Sequence, residues 1–220
     1  MARFTVHDNA IVFDDGGMNL LSSDALRELA EVIASVKTPL LIFKSGRDHI
    51  FAAGADMAEM SRFTPFQAFD FASLGQSVFD AIEKLPCVTI AMVDGDCFGG
   101  ALDLILSFDL RFATPRSRFS HPGAKLGIVT GFGGTSRWRK VLSPPAARRL
   151  FLGNPVLSAE EAREVGLVDR VDESFDDELA RLATLDPGTT RFVKELTIHG
   201  RHLGDADLRL LAERLAALYH

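Results

Sequence analysis

Two glycine-bearing turns, one carboxylate and one imidazole are the residues of this 220-residue chain whose types and spacing suit chemistry. Gly99 and Gly100 stand between a nearly all-apolar run, "CVTIAMVDG", and the helically spaced "ALDLILSFD". A glycine pair there lets the main chain approach a ligand closely, and a helix start offers free amide donors with a partial positive charge. The loop "FAAGADM" sets Gly54 among small residues and supplies a second such amide. Two amides converging on one oxygen stabilise an enolate or a tetrahedral intermediate, each donor being worth ~2.7–4 kcal/mol in the transition state. The same glycines also suit a tight turn or close packing. Asp103 falls in the first turn of the expected helix. It is either an acid/base at the same site or a complement to the helix dipole, an effect of ~0.3–1 kcal/mol. His121 can exchange a proton where a carboxylate is missing; a lone histidine also serves as a hydrogen-bonded structural residue.

The elements that must position these groups read as strands alternating with helices. "FTVHD", "AIVFDD", "TPLLIFKS", "CVTIAMVDG", "LRFAT", "SRFSH" and "VDRVDE" have strand character. "SSDALRELAEVIASV" is a helix behind a serine cap. Thr64 to Leu85 is a long amphipathic helix with Phe66, Phe69, Leu74, Phe79 and Ile82 expected on its buried side. "GGTSRWRKVL", "PPAARRLFLG" and "SAEEAREVGL" are three helices between Pro and Gly signals, and Ser174 to His220 forms two or three more around Asp186-Pro187-Gly188. The pattern predicts an α/β layered core over residues 1–173 and a helical C-terminal region over 174–220.

Composition narrows the function classes. Hydrophobic residues at 47% and charged residues at 25% match a globular chain, and no apolar run approaches the ~20 residues that cross a bilayer. The start "MARFTVHDNAIVF" lacks the pattern of a secretory leader, so a cytoplasmic location and no membrane partner are expected. A net charge of −6 argues against nucleic acid as a partner. Cys87 and Cys97 have neither metal-ligand spacing to a histidine nor a disulfide framework, so buried thiols and no metal site are expected.

Four stretches in order, "FAAGADMAEM" (51–60), "DGDCFGGALDLILSFDLRFAT" (94–114), "FSHPGAKLGIVTGFGGTSRW" (119–138) and "LFLGNPVLSAEEAREVGLVDRVD" (150–172), resemble the enoyl-CoA hydratase/isomerase family, the crotonases. The resemblance implies a spiral of repeated ββα turns, a helical trimerisation region, and an acyl-CoA thioester as substrate with no cofactor beyond the coenzyme A that the substrate carries. It implies an oxyanion hole from the amides of Ala55 and Gly100, with Ala53, Asp56, Met57 and Gly99 beside the substrate. Asp103 occupies the place of a family glutamate that works on water during hydration, and the carboxylate is one methylene shorter. That withdraws the acid by roughly 1 Å or more, and misplacement on this scale can cost ~10²-fold in rate.

The family's second glutamate, in a Phe-Gly-Gln-Pro-Glu motif, is replaced: this chain reads Phe119-Ser120-His121-Pro122-Gly123. Glycine has no proton to give, so two-glutamate hydration cannot run from these positions. Alternation along a strand would turn His121 and Gly123 to one side, which makes His121 a candidate substitute. Of the family's basic N-terminal segment only Asn19 has a clear match, and Arg62, Lys125 and Arg137 remain as unassigned cations for phosphates. The expected activity is therefore of the enoyl-CoA hydratase/isomerase type with Asp103 and His121 as acid/base candidates. Decarboxylation of a malonyl-type CoA and a non-catalytic acyl-CoA-binding role stay open. Leu208, Leu211, Leu215 and Leu218 exceed what one solvated helix needs, which with the resemblance predicts a homotrimer or dimer of trimers.

Overall fold

Phe4–His7 and Ala10–Phe13 pair antiparallel around a turn in which Asp8 takes φ +52°. The helix Ser23–Ala34 follows, with the Ser22 hydroxyl accepting Ala25 N–H as its cap. From there the chain repeats one manoeuvre. A longer strand joins one sheet, a short strand joins a second sheet, and a helix returns the chain. The sets are Leu40–Ser45, Ile50–Ala52 and helix Pro65–Glu83; then Val88–Val93, Asp96–Phe98 and helix Gly100–Ile105; then Leu110–Ala113, Arg118–Ser120 and the short helix Gly134–Arg137. The three longer strands pair in parallel, with Ala10–Phe13 on one side and Arg170–Val171 on the other. The short strands pair in parallel beside them in a second sheet that Leu157–Ser158 closes antiparallel. This is the expected ββα spiral.

The computed structural model describes residues 2–197 and 203–217, and the chain divides into two units, Met1–Thr184 and Leu185–His220. Val88–Val93 has strand neighbours on both edges, and both its faces are covered, Ala91 and Val93 on one side and Ile90 on the other, which explains its nearly continuous apolar sequence. One face of the first unit's larger sheet carries Leu41, Phe43, Ala91 and Val93 into the main core with Phe13, Phe51 and Phe119. The opposite face carries Leu40, Ile90 and Phe112, covered by Phe175 and Leu182, with the Phe112 and Phe175 rings stacked at 5.1 Å. Helix Asp176–Ala183 thus belongs with the first unit.

Helix Pro65–Glu83 differs from expectation. Phe66 and Phe69 are 72% and 68% exposed, while Phe71, Gly75, Val78, Phe79 and Ile82 form the buried stripe and Leu74 flanks it. At about 3.6 residues per turn, positions 66 and 69 fall on the side opposite that stripe. The second unit holds helices Pro187–Thr197 and Asp205–Ala217, joined by Arg214 Nη1 donating to Asp186 Oδ1 at 2.7 Å. Leu208, Leu211 and Leu215 are all exposed; Leu218 lies outside the described residues. No helix of the described residues is long and apolar enough to cross a membrane.

Candidate active site

Gly54–Ala55 pairs in parallel with Leu20–Leu21, and Ala53 N–H donates to Met18 O at 3.0 Å. Asn19, fully buried, anchors this segment by donating from Nδ2 to Phe13 O, Ser45 Oγ and Phe51 O. Its role is structural. Gly54 takes φ +92°, and a β-carbon there would stand 2.6 Å from Phe98 O and 2.8 Å from Gly100 N. Gly99 takes φ +57°, ψ −124°, a conformation that only glycine adopts readily, and donates its N–H to Ser120 O at 2.9 Å. A β-carbon on Gly100 would lie 3.3 Å from Ala55 N and 3.0 Å from the Phe132 ring. The two glycine turns are therefore packed main chain to main chain, which places the amides of Ala55 and Gly100 side by side.

Both residues line a cavity of about 290 Å³, as do Ala53, Met57, Gly99 and His121. Its remaining walls are mainly apolar, from Met60, Phe63, Phe71, Leu126 and Val129, and Thr130 adds a hydroxyl. Among the described residues, His121 is the one titratable side chain in the lining, which contains no Asp, Glu, Lys or Arg. Asp56, expected beside the substrate, is not part of this lining. Its Oδ1 instead accepts Ala58 N–H and Glu59 N–H at 2.9 and 3.0 Å, capping helix Met57–Met60. An acceptor at this position is drawn to the free amides of the helix start.

Asp103 sits in the first turn of helix Gly100–Ile105, as expected, but is fully buried and does not line the cavity. Thr130 Oγ1 donates to Asp103 Oδ2 and itself accepts Phe132 N–H at 3.4 Å. Asp103 Oδ1 lies 3.4 Å from His121 Nε2, and neither of these buried atoms makes a hydrogen bond, to the other or elsewhere. Behind the carboxylate, Cys97 is fully buried, and burial, followed by the charges of Asp103 and Asp96, pushes its thiol well up. Cys97 is a protonated apolar filler, not a nucleophile.

The strand ends at Ser120, so simple alternation does not relate His121 to Gly123. Gly123 instead opens the turn Ala124–Leu126, its carbonyl accepting Leu126 N–H and Ile128 N–H at 3.0 and 2.8 Å. The two residues are neighbours nonetheless. A β-carbon on Gly123 would stand 3.2 Å from His121 Nδ1 and 2.8 Å from Ile128 O.

Thr130, Phe132 and Gly134 escaped sequence reasoning although "TGFGGT" lies within a motif already singled out. The Phe132 ring packs edge-on against Phe71 and Phe79 at 5.1 and 5.5 Å. Gly75 leaves space for it, since a β-carbon there would meet the ring at 2.1 Å. Arg137, considered for phosphates, is committed elsewhere. It is buried over the Phe79 ring, donates from Nη1 to Phe132 O at 2.7 Å, pairs with Asp80, and lies 3.5 Å from Glu83. Arg62 and Lys125 are exposed, each immediately preceding a lining residue, Phe63 and Leu126.

The family model described as enoyl-CoA hydratase/isomerase matches residues 9–195. A crotonyl-CoA hydratase of Syntrophomonas wolfei is 37% identical over 158 residues, 70% of this chain and 61% of that protein. A mitochondrial methylglutaconyl-CoA hydratase of Mus musculus is 34% identical over 159 residues, 70% of this chain and 51% of that protein. The matched stretch thus spans about three fifths or less of these relatives' length. The crystal structure of an enoyl-CoA hydratase from Bacillus anthracis superposes with a TM-score of 0.86 at 26% identity, covering 99% of this chain and 91% of that one.

Proposed function

The chain belongs to the enoyl-CoA hydratase/isomerase family, and from that premise we propose that it is an acyl-CoA enzyme working through an enolate of the thioester. The observation that carries this reading is the packing of Gly54-Ala55 against Gly99-Gly100 beside a cavity whose one titratable lining residue is His121. The thioester oxygen takes hydrogen bonds from the amides of Ala55 and Gly100. Held by the main chain in apolar surroundings, these donors need no reorganisation when negative charge develops on that oxygen. Ala53, Met57 and Gly99 border the bound thioester.

The acyl group is apolar and uncharged, because burying a carboxylate among Met60, Phe63, Phe71 and Leu126 without a cation is strongly unfavourable. This disfavours a malonyl-type substrate. At about 290 Å³ the cavity is near the lower end for ligand sites and admits the acyl end. The nucleotide stays outside, where Arg62 and Lys125 meet its phosphates. Proton transfer falls to the Asp103 and His121 pair. One acid/base at the cavity suits movement of a proton between two carbons, a double-bond shift, better than hydration, which needs one group for water and another for carbon. The exposed Leu208, Leu211 and Leu215 support a further part of the reading, assembly as a homotrimer or dimer of trimers.

The test is turnover of 3-hexenoyl-CoA, crotonyl-CoA and malonyl-CoA, with binding measured by calorimetry. Double-bond migration in 3-hexenoyl-CoA exceeding hydration of crotonyl-CoA is the expected result. Binding without conversion of any thioester makes the chain a binding protein instead.

A further inference from the structure

Both acid/base candidates are in place, yet only one faces the cavity. We propose that His121 carries the proton through Nδ1, that Asp103 is a positioning residue that never touches substrate, and that Thr130, although it borders the cavity, acts by positioning Asp103. The proposal deepens the reading of the cavity as a thioester site and rests on it.

Asp103 is enclosed on every side that the contacts define. Thr130 takes Oδ2, and the main chain of Gly134 presses on Oδ1, where a β-carbon at 134 would stand 1.7 Å away. What remains open to Oδ1 is His121 Nε2, itself buried and without a hydrogen bond, at 3.4 Å. A neutral imidazole has one N–H and one lone pair, and the tautomer follows the hydrogen bond that one nitrogen makes. A carboxylate facing Nε2 draws the N–H to Nε2 and leaves the lone pair on Nδ1.

Nδ1 is the ring nitrogen beside Gly123, and Gly123 lines the cavity. With no side chain at 123, nothing from that residue covers Nδ1 at the cavity wall. In the forward step Nδ1 takes a proton from a carbon next to the double bond. The C–H electron pair moves into the conjugated system, and negative charge collects on the thioester oxygen. The imidazolium then returns the same proton from Nδ1 to a carbon two positions along, so no proton is gained or lost. Asp103 stabilises the imidazolium between these steps. Thr130, by holding Oδ2, keeps Oδ1 turned to Nε2.

The test reads the tautomer directly and so does not depend on turnover. The full chain, labelled with 15N-histidine, is studied at pH 8 by long-range imidazole NMR, with the His121 signals identified by their loss in His121→Gln. The expected result is an Nε2–H tautomer that Thr130→Ser preserves. Thr130→Val removes the hydroxyl at nearly constant shape, and Asp103→Asn presents an amide that can donate as well as accept. Both admit the Nδ1–H form. With 3-hexenoyl-CoA, both lower kcat about 10- to 100-fold with KM within a few-fold, Thr130→Ser restores kcat, and His121→Gln loses about 10²–10⁴-fold. An Nδ1–H tautomer in the parent protein overturns the proposal. So does a tautomer unmoved by both Thr130→Val and Asp103→Asn, or full turnover by His121→Gln. If the parent converts no thioester, the functional reading fails while the tautomer result still decides the positioning of His121.

Discussion

Gly134 is packed onto Asp103 so closely that a methyl group on its α-carbon would stand 1.7 Å from Asp103 Oδ1. The carboxylate and the main chain cannot both keep their places in Gly134→Ala. Overpacking of this kind typically costs about 1–3 kcal/mol, and the displaced carboxylate also leaves His121. Denaturant unfolding and initial rates are expected to fall together in this variant, with kcat lowered as in Asp103→Asn. A variant as stable and active as the parent would contradict the packing described.

Acid weakens the loop that sets one of the two amide-bearing turns. Burial pushes the Asp15 carboxyl up, but N–H donation from Leu20, Asn19 and Gly17, with the nearby Arg47 charge, outweighs it and holds the carboxyl below its ordinary value. A carboxyl depressed on folding contributes stability that is present above its unfolded value, about 3.9, and is lost as pH falls through the folded value. The Gly17, Asn19 and Leu20 amides are expected to lose hydrogen-exchange protection as pH drops below about 4. Asp15→Asn removes the acceptor of Leu20 N–H, costs about 1 kcal/mol near neutrality, and flattens this acid dependence.

Arg62 and Lys125 are expected to act on binding and not on chemistry. Their joint replacement by alanine raises KM for 3-hexenoyl-CoA about ten-fold at low salt and leaves kcat within about two-fold, the pattern of lost uniform binding. Added salt shrinks the difference, since contacts between exposed charges and phosphates are screened. An unchanged KM would remove both residues from the phosphate site.

On helix Asp205–Ala217, Leu208, Leu211 and Leu215 are spaced to share one face, and all are exposed. Light scattering at micromolar concentration is expected to give a trimer or a multiple of it. Leu208→Glu with Leu215→Glu is expected to shift the mass toward monomer. A parent protein that is monomeric under these conditions refutes the assembly.

Much of this arrangement was legible in local sequence. Val88–Val93 advertised its central position by its apolar run, and the turn Gly99-Gly100 stood where a strand gives way to a helix. Phe66 and Phe69 misled because helical spacing is consistent with several stripes, and the one that is buried depends on what the helix meets. Asp56 misled for a related reason. Neighbours of a site residue in sequence do not share its direction, and the free amides of Ala58 and Glu59 claimed its side chain. Thr130 was hidden because its partner lies 27 residues away and an irregular loop has no periodicity to place a hydroxyl. The enclosure of Asp103 was equally unreadable, as it depends on Gly134 and Thr130 reaching it from a later part of the chain.

The crowding around Gly123 bears on how such a chain can change over generations. A side chain at 123 meets the Ile128 carbonyl, which is held there by the turn's own hydrogen bonds back to Gly123. The path of residues 124–128 and the identity of residue 123 are thus alternatives that have to switch together. Any single replacement that restores an acid must pass through a misfitted turn. A second carboxylate at 123 therefore calls for another course of residues 124–128 together with the point substitution.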